Sequence, residues 1–221
     1  MTVVLVSGGM DSAVALAEAI ELDEPVTALS VRYGSVHENA ESQAAKALVE
    51  WYGVEHVVIS LPTEIFKGGD SSLLGESVIP NEEYHDIRKE SPSSTVVPFR
   101  NATLLSVATA YAEAHGHTAV YMAVHASDHG GWAYPDCSPE FIGSMMAAVY
   151  VGTLRKVRLV APFLWMTKAQ VVQRGFELGV PFKLTWSCYR GGEKPCGQCP
   201  TCLERLKAFH DAGYKDQVEY A

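Results

Sequence analysis

The sequence predicts an α/β protein built on a doubly wound, mostly parallel sheet, with a small cysteine-rich appendage at its C-terminus. Three observations predict it. Short β-branched runs alternate with longer segments of helical composition as far as Leu178, the order in which β-α units build a parallel sheet. The turn Ser7-Gly8-Gly9-Met10-Asp11-Ser12 falls directly between the first such run and the first helical segment. Four of the five cysteines crowd into the interval from Cys188 to Cys202.

The first run, Thr2-Val3-Val4-Leu5-Val6, is apolar and β-branched, and residues 13–19 are rich in helix formers, so the Gly-Gly motif is a strand-to-helix turn. Gly8 and Gly9 permit backbone angles and close approaches that a Cβ blocks, and the free N–H groups opening the helix attract an anion. A phosphate is expected there. No Gly-x-x-x-x-Gly-Lys-Ser/Thr string occurs in the chain, so the loop is not of Walker type. Ser-Gly-Gly-x-Asp-Ser resembles instead the PP-loop of the N-type ATP pyrophosphatases. That resemblance implies ATP, its β,γ-phosphates held as a pyrophosphate leaving group and its AMP transferred to an oxygen of the substrate. An unliganded glycine turn is the competing reading, against which all five specified positions match.

At 221 residues, 48% hydrophobic and 19% charged, the chain has the composition of a soluble globular protein with one core, or one core and an appendage. No apolar run approaches the ~20 residues of a membrane helix. With no basic and apolar leader before the first strand, a cytoplasmic location is expected. The net charge of -9 argues against a broad nucleic-acid surface and favours a small-molecule substrate. A tRNA substrate is disfavoured, although tRNA-modifying enzymes share this loop.

Further strands are expected at 25–31 and 56–60, with a helix over 37–52 between them. Ligands of such sheets bind at the carboxyl ends of the strands, where the PP-loop lies and where Arg32 to His37 follows the second strand. Tyr33 stands there to meet an adenine or substrate ring, or simply to make a turn with Gly34. Regular patterning fails over 61–98, which is expected to be a partly disordered lid. A helix returns over 102–115 with Asn101 as its N-cap. Arg100 opposes that helix's dipole, which a nearby anion explains; a surface arginine beside a capping Asn is the alternative.

The fourth strand is expected at 118–124, and the polar segment 125–140 must cross the same sheet edge as the PP-loop. It carries Asp128, Tyr134 and Asp136, whose carboxylate suits the amidine edge of a purine-like ring. His125 and His129 read as turn or pocket histidines before metal ligands, and Cys137 as packing. A helix over 141–151, a fifth strand over 157–160 and a helix over 167–178 capped by Thr167 complete the pattern. Lys168, in the first turn of that helix, reads as a phosphate or adenylate contact, with a solvated surface lysine as the alternative.

Cys188, Cys196, Cys199 and Cys202 are spaced Cys-x7-Cys-x2-Cys-x2-Cys among Gly191, Gly192, Pro195 and Gly197. Four thiolates on a sharply turning chain suit tetrahedral Zn²⁺ with no open position, a structural site that pins a short helix over 201–212. The competing readings are a Cys-x-x-Cys redox pair and an iron–sulfur cluster. The expected division is a nucleotide-binding α/β domain over 1–183 and a zinc-binding region over 184–221.

Taken together, these residues resemble the 7-cyano-7-deazaguanine synthase family over most of the chain. The matching stretches are Ser7 to Ser12, Tyr33-Gly34 with His37, Val97-Pro98-x-Arg100-Asn101, Tyr134-Pro135-Asp136-Cys137 with Glu140-Phe141, Trp165 with Lys168, and Thr185-Trp186-Ser187-Cys188-Tyr189 leading into the cysteines. The resemblance implies two ATP-driven steps. In the first, 7-carboxy-7-deazaguanine is adenylated and captured by ammonia; in the second, the resulting amide is adenylated and loses AMP to give the nitrile. It implies ATP and Mg²⁺, with the nucleotide against Val6, Ser7, Gly8, Gly9, Met10, Asp11, Ser12, Ala13, Val14, Ala15, Leu16, Tyr33, Arg100 and Asn101. Ser7, Asp11, Ser12, Arg100 and Lys168 are the expected catalytic set, and Tyr33, His37, Asp128, Tyr134 and Asp136 the expected substrate contacts. A homodimer, with ammonia supplied free or by a partner, is implied as well. The chain departs from the family pattern at Ser35-Val36, Phe99 and Ser138, which leaves adenylation more secure than the substrate and admits an enzyme that stops at the amide.

Overall fold

The computed structural model describes residues 1–22, 25–75, 78–79, 81, 94–126 and 134–221. The elements are β1 (Thr2–Leu5), α1 (Met10–Glu21), β2 (Val26–Arg32), α2 (Glu38–Tyr52), β3 (Glu55–Ser60), α3 (Arg100–Ala114), β4 (Ala119–Tyr121), α4 (Pro139–Gly152), β5 (Arg158–Val160), α5 (Lys168–Glu177) and α6 (Pro200–Asp211). The five strands form one parallel sheet in the order β3-β2-β1-β4-β5. The order reverses at β1, so the crevice between the ends of β1 and β4 is the switch point where such sheets take ligands.

Both faces of the central strand are buried, as a parallel sheet requires. Val4 joins a core with α1, α2, α5 and α6, while its neighbour Val3 joins Leu105, Ala108, Ile142 and Val149 on the face covered by α3 and α4. The alternating side-chain direction of a strand separates the two cores. Helix α1 buries alanines at 13, 15, 17 and 19, so its neighbours approach closely. Gly175 of α5 is part of that approach: a Cβ there would lie 2.4 Å from Phe182 Cζ and 2.8 Å from Val14 Cγ2.

Ala208 and Phe209 of α6 are buried in the same core as Phe182 and α1, which anchors the cysteine-rich region on the sheet's helical layer. The described parts of 61–98 are docked as well. Phe66, Leu73 and Val97 cluster with Tyr33, and Ser72 donates twice to the Ser94 carbonyl, from N at 2.8 Å and from Oγ at 3.1 Å. The remainder of the expected lid lies outside the described residues.

One boundary is corrected. Helix α3 starts at Arg100 with Phe99, at φ 53°, in the cap position, so Asn101 sits inside the first turn and is not the N-cap.

The contact at Gly175 gives a packing test. Gly175→Ala is expected to destabilise the fold by about 1–3 kcal/mol through overpacking. Gly143→Ala, where nothing lies within 4 Å in α4, is expected to be neutral or stabilising by up to about 1 kcal/mol. Urea unfolding midpoints at unchanged slope check both.

Candidate active site and metal centre

The PP-loop is held by its own serines. Ser12 Oγ donates to the Gly9 carbonyl at 3.0 Å and accepts from Ser7 N at 3.3 Å, while Gly9 N donates to Ser7 Oγ at 3.2 Å. Gly8, at φ +92°, is pressed onto the start of α2, where a Cβ would stand 2.4 Å from the Glu41 carbonyl oxygen and 2.8 Å from Ala45 N. Gly9 occupies the N-cap of α1 and supplies no side-chain acceptor, so the first N–H groups of that helix open toward the crevice. From the other side, Trp186 N donates to the Gly8 carbonyl at 2.9 Å.

A cavity of about 250 Å³ lies over this helix end and is lined by residues from β1, β2, α2, α3, α5 and the 186–204 region. Ser7, Asp11, Ser12, Tyr33, His37, Arg100, Asn101, Tyr134 and Lys168 all line it, together with Val6, Gly9 and Met10. Of the remaining expected nucleotide contacts, Gly8 does not line it, and Ala13, Val14, Ala15 and Leu16 are fully buried in the core on the packing face of α1.

Asp136, half-buried, is not among the described residues lining the cavity; its Oδ2 accepts from Asn101 N at 3.0 Å, and Asn101 Nδ2 donates to the Asp136 carbonyl and to Cys137 Sγ, each at 3.2 Å. The carboxylate thus satisfies a free N–H in the first turn of α3 in place of the expected Asn cap. Asp128 and His129 lie outside the described residues.

The cavity's charges are paired within its walls. Lys168, 8% exposed, donates from Nζ to Glu204 Oε2 at 2.7 Å and lies 3.5 Å from Asp11 Oδ2, so it is no surface lysine. His125 Nε2 stands 3.7 Å from Asp11 Oδ1. Burial raises the Asp11 carboxyl, but Lys168 and His125 outweigh burial and hold it below the usual carboxylate range. Asp11 Oδ1 accepts no hydrogen bond among the described residues. Arg100 contacts the Tyr33 hydroxyl at 3.5 Å, and burial pushes that phenol up.

Several participants are not legible from the motif. Glu38 accepts from Tyr33 N at 3.1 Å, from Gly34 N at 2.7 Å and from Arg32 Nε at 2.8 Å, which fixes the turn after β2. Glu41, Trp186, Tyr189, Thr201 and Glu204 complete the walls. The only sequence signal for Glu204 is its spacing of three from Thr201, which puts both on one helix face.

The four cysteine sulfurs at 188, 196, 199 and 202 lie within 4.8 Å of one another. Cys188 and Cys199 sulfurs are 4.0 Å apart, close to the roughly 3.8 Å edge of a tetrahedron with ~2.3 Å zinc–sulfur bonds. Backbone N–H groups of Arg190, Cys196, Gln198 and Cys199 point at Cys188 or Cys196 sulfur at 3.3–3.4 Å, as thiolate acceptors require. The neighbouring thiols of Cys199 and Cys202, followed by two of those N–H groups, hold Cys188 far below the ordinary thiol range. The residues therefore fit a closed four-thiolate zinc site. Below it, Arg205 is 2% exposed and fully engaged: Nε and Nη2 reach Asp216 at 2.8 and 2.9 Å, and Nη1 donates to Thr185 Oγ1 at 2.7 Å.

A sheet of this order with an uncapped Ser-Gly-Gly-x-Asp-Ser helix start at its switch point defines a PP-loop α/β protein. Residues 1–213 match the family described as "Queuosine biosynthesis protein QueC", and the chain belongs to that family. It is 42% identical over 222 residues to the 7-cyano-7-deazaguanine synthase of Thermoplasma acidophilum, covering 99% of this chain and 91% of that one. Against the 7-cyano-7-deazaguanine synthase of Methanoculleus marisnigri it is 42% identical over 221 residues, covering 99% and 97%. Among solved structures it superposes on NMN synthetase from Francisella tularensis with TM-score 0.53 at 20% identity, covering 97% of this chain and 77% of that one. A predicted subunit of tRNA methyltransferase from Methanocaldococcus jannaschii gives TM-score 0.52 at 15% identity, covering 100% and 91%. These likenesses establish the fold.

Two outcomes follow from the metal centre and its anchor. Elemental analysis is expected to find one zinc per chain, lost in Cys199→Ser. Burial raises the Asp216 carboxyl, but Arg205 outweighs burial and holds it below its unfolded value of about 3.9. The pair's stability is therefore complete above that value and is lost as pH falls through the lower native one. Asp216→Ala is expected to cost about 3–5 kcal/mol at neutral pH by stranding Arg205, with the gap from wild type shrinking in acid. Denaturant unfolding as a function of pH checks this.

Proposed function

We propose that the protein is an ATP-dependent C–N ligase that converts 7-carboxy-7-deazaguanine and ammonia to 7-cyano-7-deazaguanine, releasing AMP and pyrophosphate. One observation carries the reading: relatives about 40% identical over 99% of the chain bear that enzyme's name, and the loop the reaction needs opens intact onto the cleft. A carboxylate oxygen leaves poorly until AMP is placed on it. Attack of the carboxylate on the α-phosphate of ATP forms the acyl adenylate and expels pyrophosphate. Ammonia then displaces AMP to give the amide, whose oxygen is adenylated by a second ATP. Loss of AMP and a proton from that species leaves the nitrile.

The charge building on pyrophosphate needs preorganised donors, which the α1 N-terminus, Ser7, Gly8, Gly9 and Ser12 supply. Arg100 and Lys168 face the α-phosphate, and Asp11 Oδ1, which accepts no hydrogen bond among the described residues, suits Mg²⁺, whose role when bound would be to neutralise phosphate charge. Tyr33, His37 and Tyr134 remain for the deazapurine. Residues 1–183 form the nucleotide-binding unit, and 184–221 add the zinc-pinned wall. The enzyme works on small molecules in the cytoplasm, as a homodimer; no described helix is long and apolar enough to cross a membrane.

Three of the four departures from the family pattern lie off the cavity and give no reason for the reaction to stop at the amide. Of the four residues, only Ser35 lines the cavity; Val36 and Phe99 are exposed, and Ser138 caps α4 by accepting from Phe141 N at 3.2 Å.

The test is incubation with ATP, Mg²⁺, ammonium and 7-carboxy-7-deazaguanine, followed by mass spectrometry. Nitrile with two AMP per molecule is expected. Amide as the final product transfers the reading to an amide-forming enzyme, and absence of AMP release overturns it.

A further inference from the structure

We propose that Glu204 is a positioning residue that draws the Lys168 ammonium off Asp11, leaving the Asp11 carboxylate open to the divalent cation of the ATP complex. The inference rests on the reading of Asp11 as the metal-facing carboxylate. Three groups carry it. Among the described residues Lys168 Nζ lies between two carboxylates, at 2.7 Å from Glu204 Oε2 and 3.5 Å from Asp11 Oδ2, so its shorter contact goes to Glu204. Asp11 Oδ1 is buried and accepts no hydrogen bond among the described residues, the His125 ring nitrogen standing off at 3.7 Å. Lys168 stands at the first position of α5, where a cation opposes the helix dipole, so its place needs anionic neighbours.

Without Glu204, Asp11 would be the nearest carboxylate to the buried ammonium among the described residues, and the tighter pair would neutralise it before a cation reached it. Glu204 prevents this from the opposite wall. It rises from α6, whose N-cap is Cys199 and whose first turn holds Cys202. Thr201 and Glu204, three apart, both face the cavity, one step around the helix from the cysteine ridge. The four-cysteine centre that sets the start of α6 thereby also sets where the Glu204 carboxylate stands.

The test is a double-mutant cycle on Glu204 and Lys168. Mn²⁺ binding in the presence of a non-hydrolysable ATP analogue is measured by calorimetry on zinc-replete protein. In Glu204→Leu the Mn²⁺ dissociation constant is expected to rise about tenfold, and in Glu204→Gln, which still accepts from Nζ, about threefold. In a Lys168→Met background neither change is expected to have further effect. Turnover is expected to show the same split, with the Mg²⁺ requirement raised and the KM for the deazapurine unchanged in Glu204→Leu. Wild-type Mn²⁺ affinity in Glu204→Leu, or effects that add in the double variants, would overturn the proposal. Should Glu204→Leu lose its zinc or fold, Glu204→Gln carries the same cycle. The binding cycle uses no deazapurine, so its failure leaves the substrate reading standing, and a wrong substrate leaves the cycle intact.

Discussion

The cleft depends on one constraint: α1 begins after Gly9, which offers no side-chain cap. Of the backbone N–H groups at this helix start, Gly9 N donates to Ser7 Oγ, and the capping residue supplies no side-chain acceptor for the others. Everything around the loop keeps those turned outward. Ser12 folds back to the Gly9 carbonyl, Gly8 leans on the α2 backbone at a distance only hydrogen allows, and Trp186 holds the Gly8 carbonyl from the far side. A capping Asp or Ser at position 9 would satisfy the helix locally and remove the anion site.

Two further helices begin at the same cleft with the wrong charge. Arg100 is the first residue of α3 and Lys168 the first of α5, and both line the cavity. Each position is locally unfavourable for a cation. The structure compensates with nearby carboxylates: Asp136 caps the first turn of α3, and Glu204 with Asp11 flanks Lys168. Three helix starts and two cations thus converge on a small volume, a field suited to an anionic ligand. Places where a sequence breaks a local rule point to a candidate site, and both cations stand out in the sequence on that ground alone.

That distinction explains what could be read from the chain. Strand and helix order, the Thr167 cap and the cysteine cluster follow from short-range chemistry: β-branched runs, a Thr-x-x-Gln box and Cys spacing. Partner choice does not. By residue type Asn101 reads as a cap and Asp136 as a purine contact; the structure pairs them across 35 positions, with the aspartate accepting from the first turn of α3. Ala13 to Leu16 follow the loop in sequence yet pack into the core, because a helix that opens its end onto a cleft buries its length. Glu204 carries no motif at all; only the docking of α6 brings it to Lys168.

The C-terminal region is where this matters most. A four-cysteine site read in isolation is a staple for a tail. In the fold, the chain leaving Phe182 passes Trp186 at the PP-loop before reaching Cys188, returns through Cys199 into α6, and presents Thr201 and Glu204 to the cavity. Buried Arg205 then ties α6 to Thr185 and Asp216, so neither flank of this wall can shift alone. Two of the hydrogen-bonded contacts that shape the nucleotide end of the cleft, at Gly8 and at Lys168, therefore come from residues within two positions of a cysteine of the cluster. A small α/β domain cannot easily brace a loop that must stay uncapped, because every side chain that braces it by filling its donors also blocks the ligand. A four-cysteine cluster placed outside the cleft anchors residues that contact the Gly8 carbonyl and Lys168 without filling the N–H groups at the start of α1.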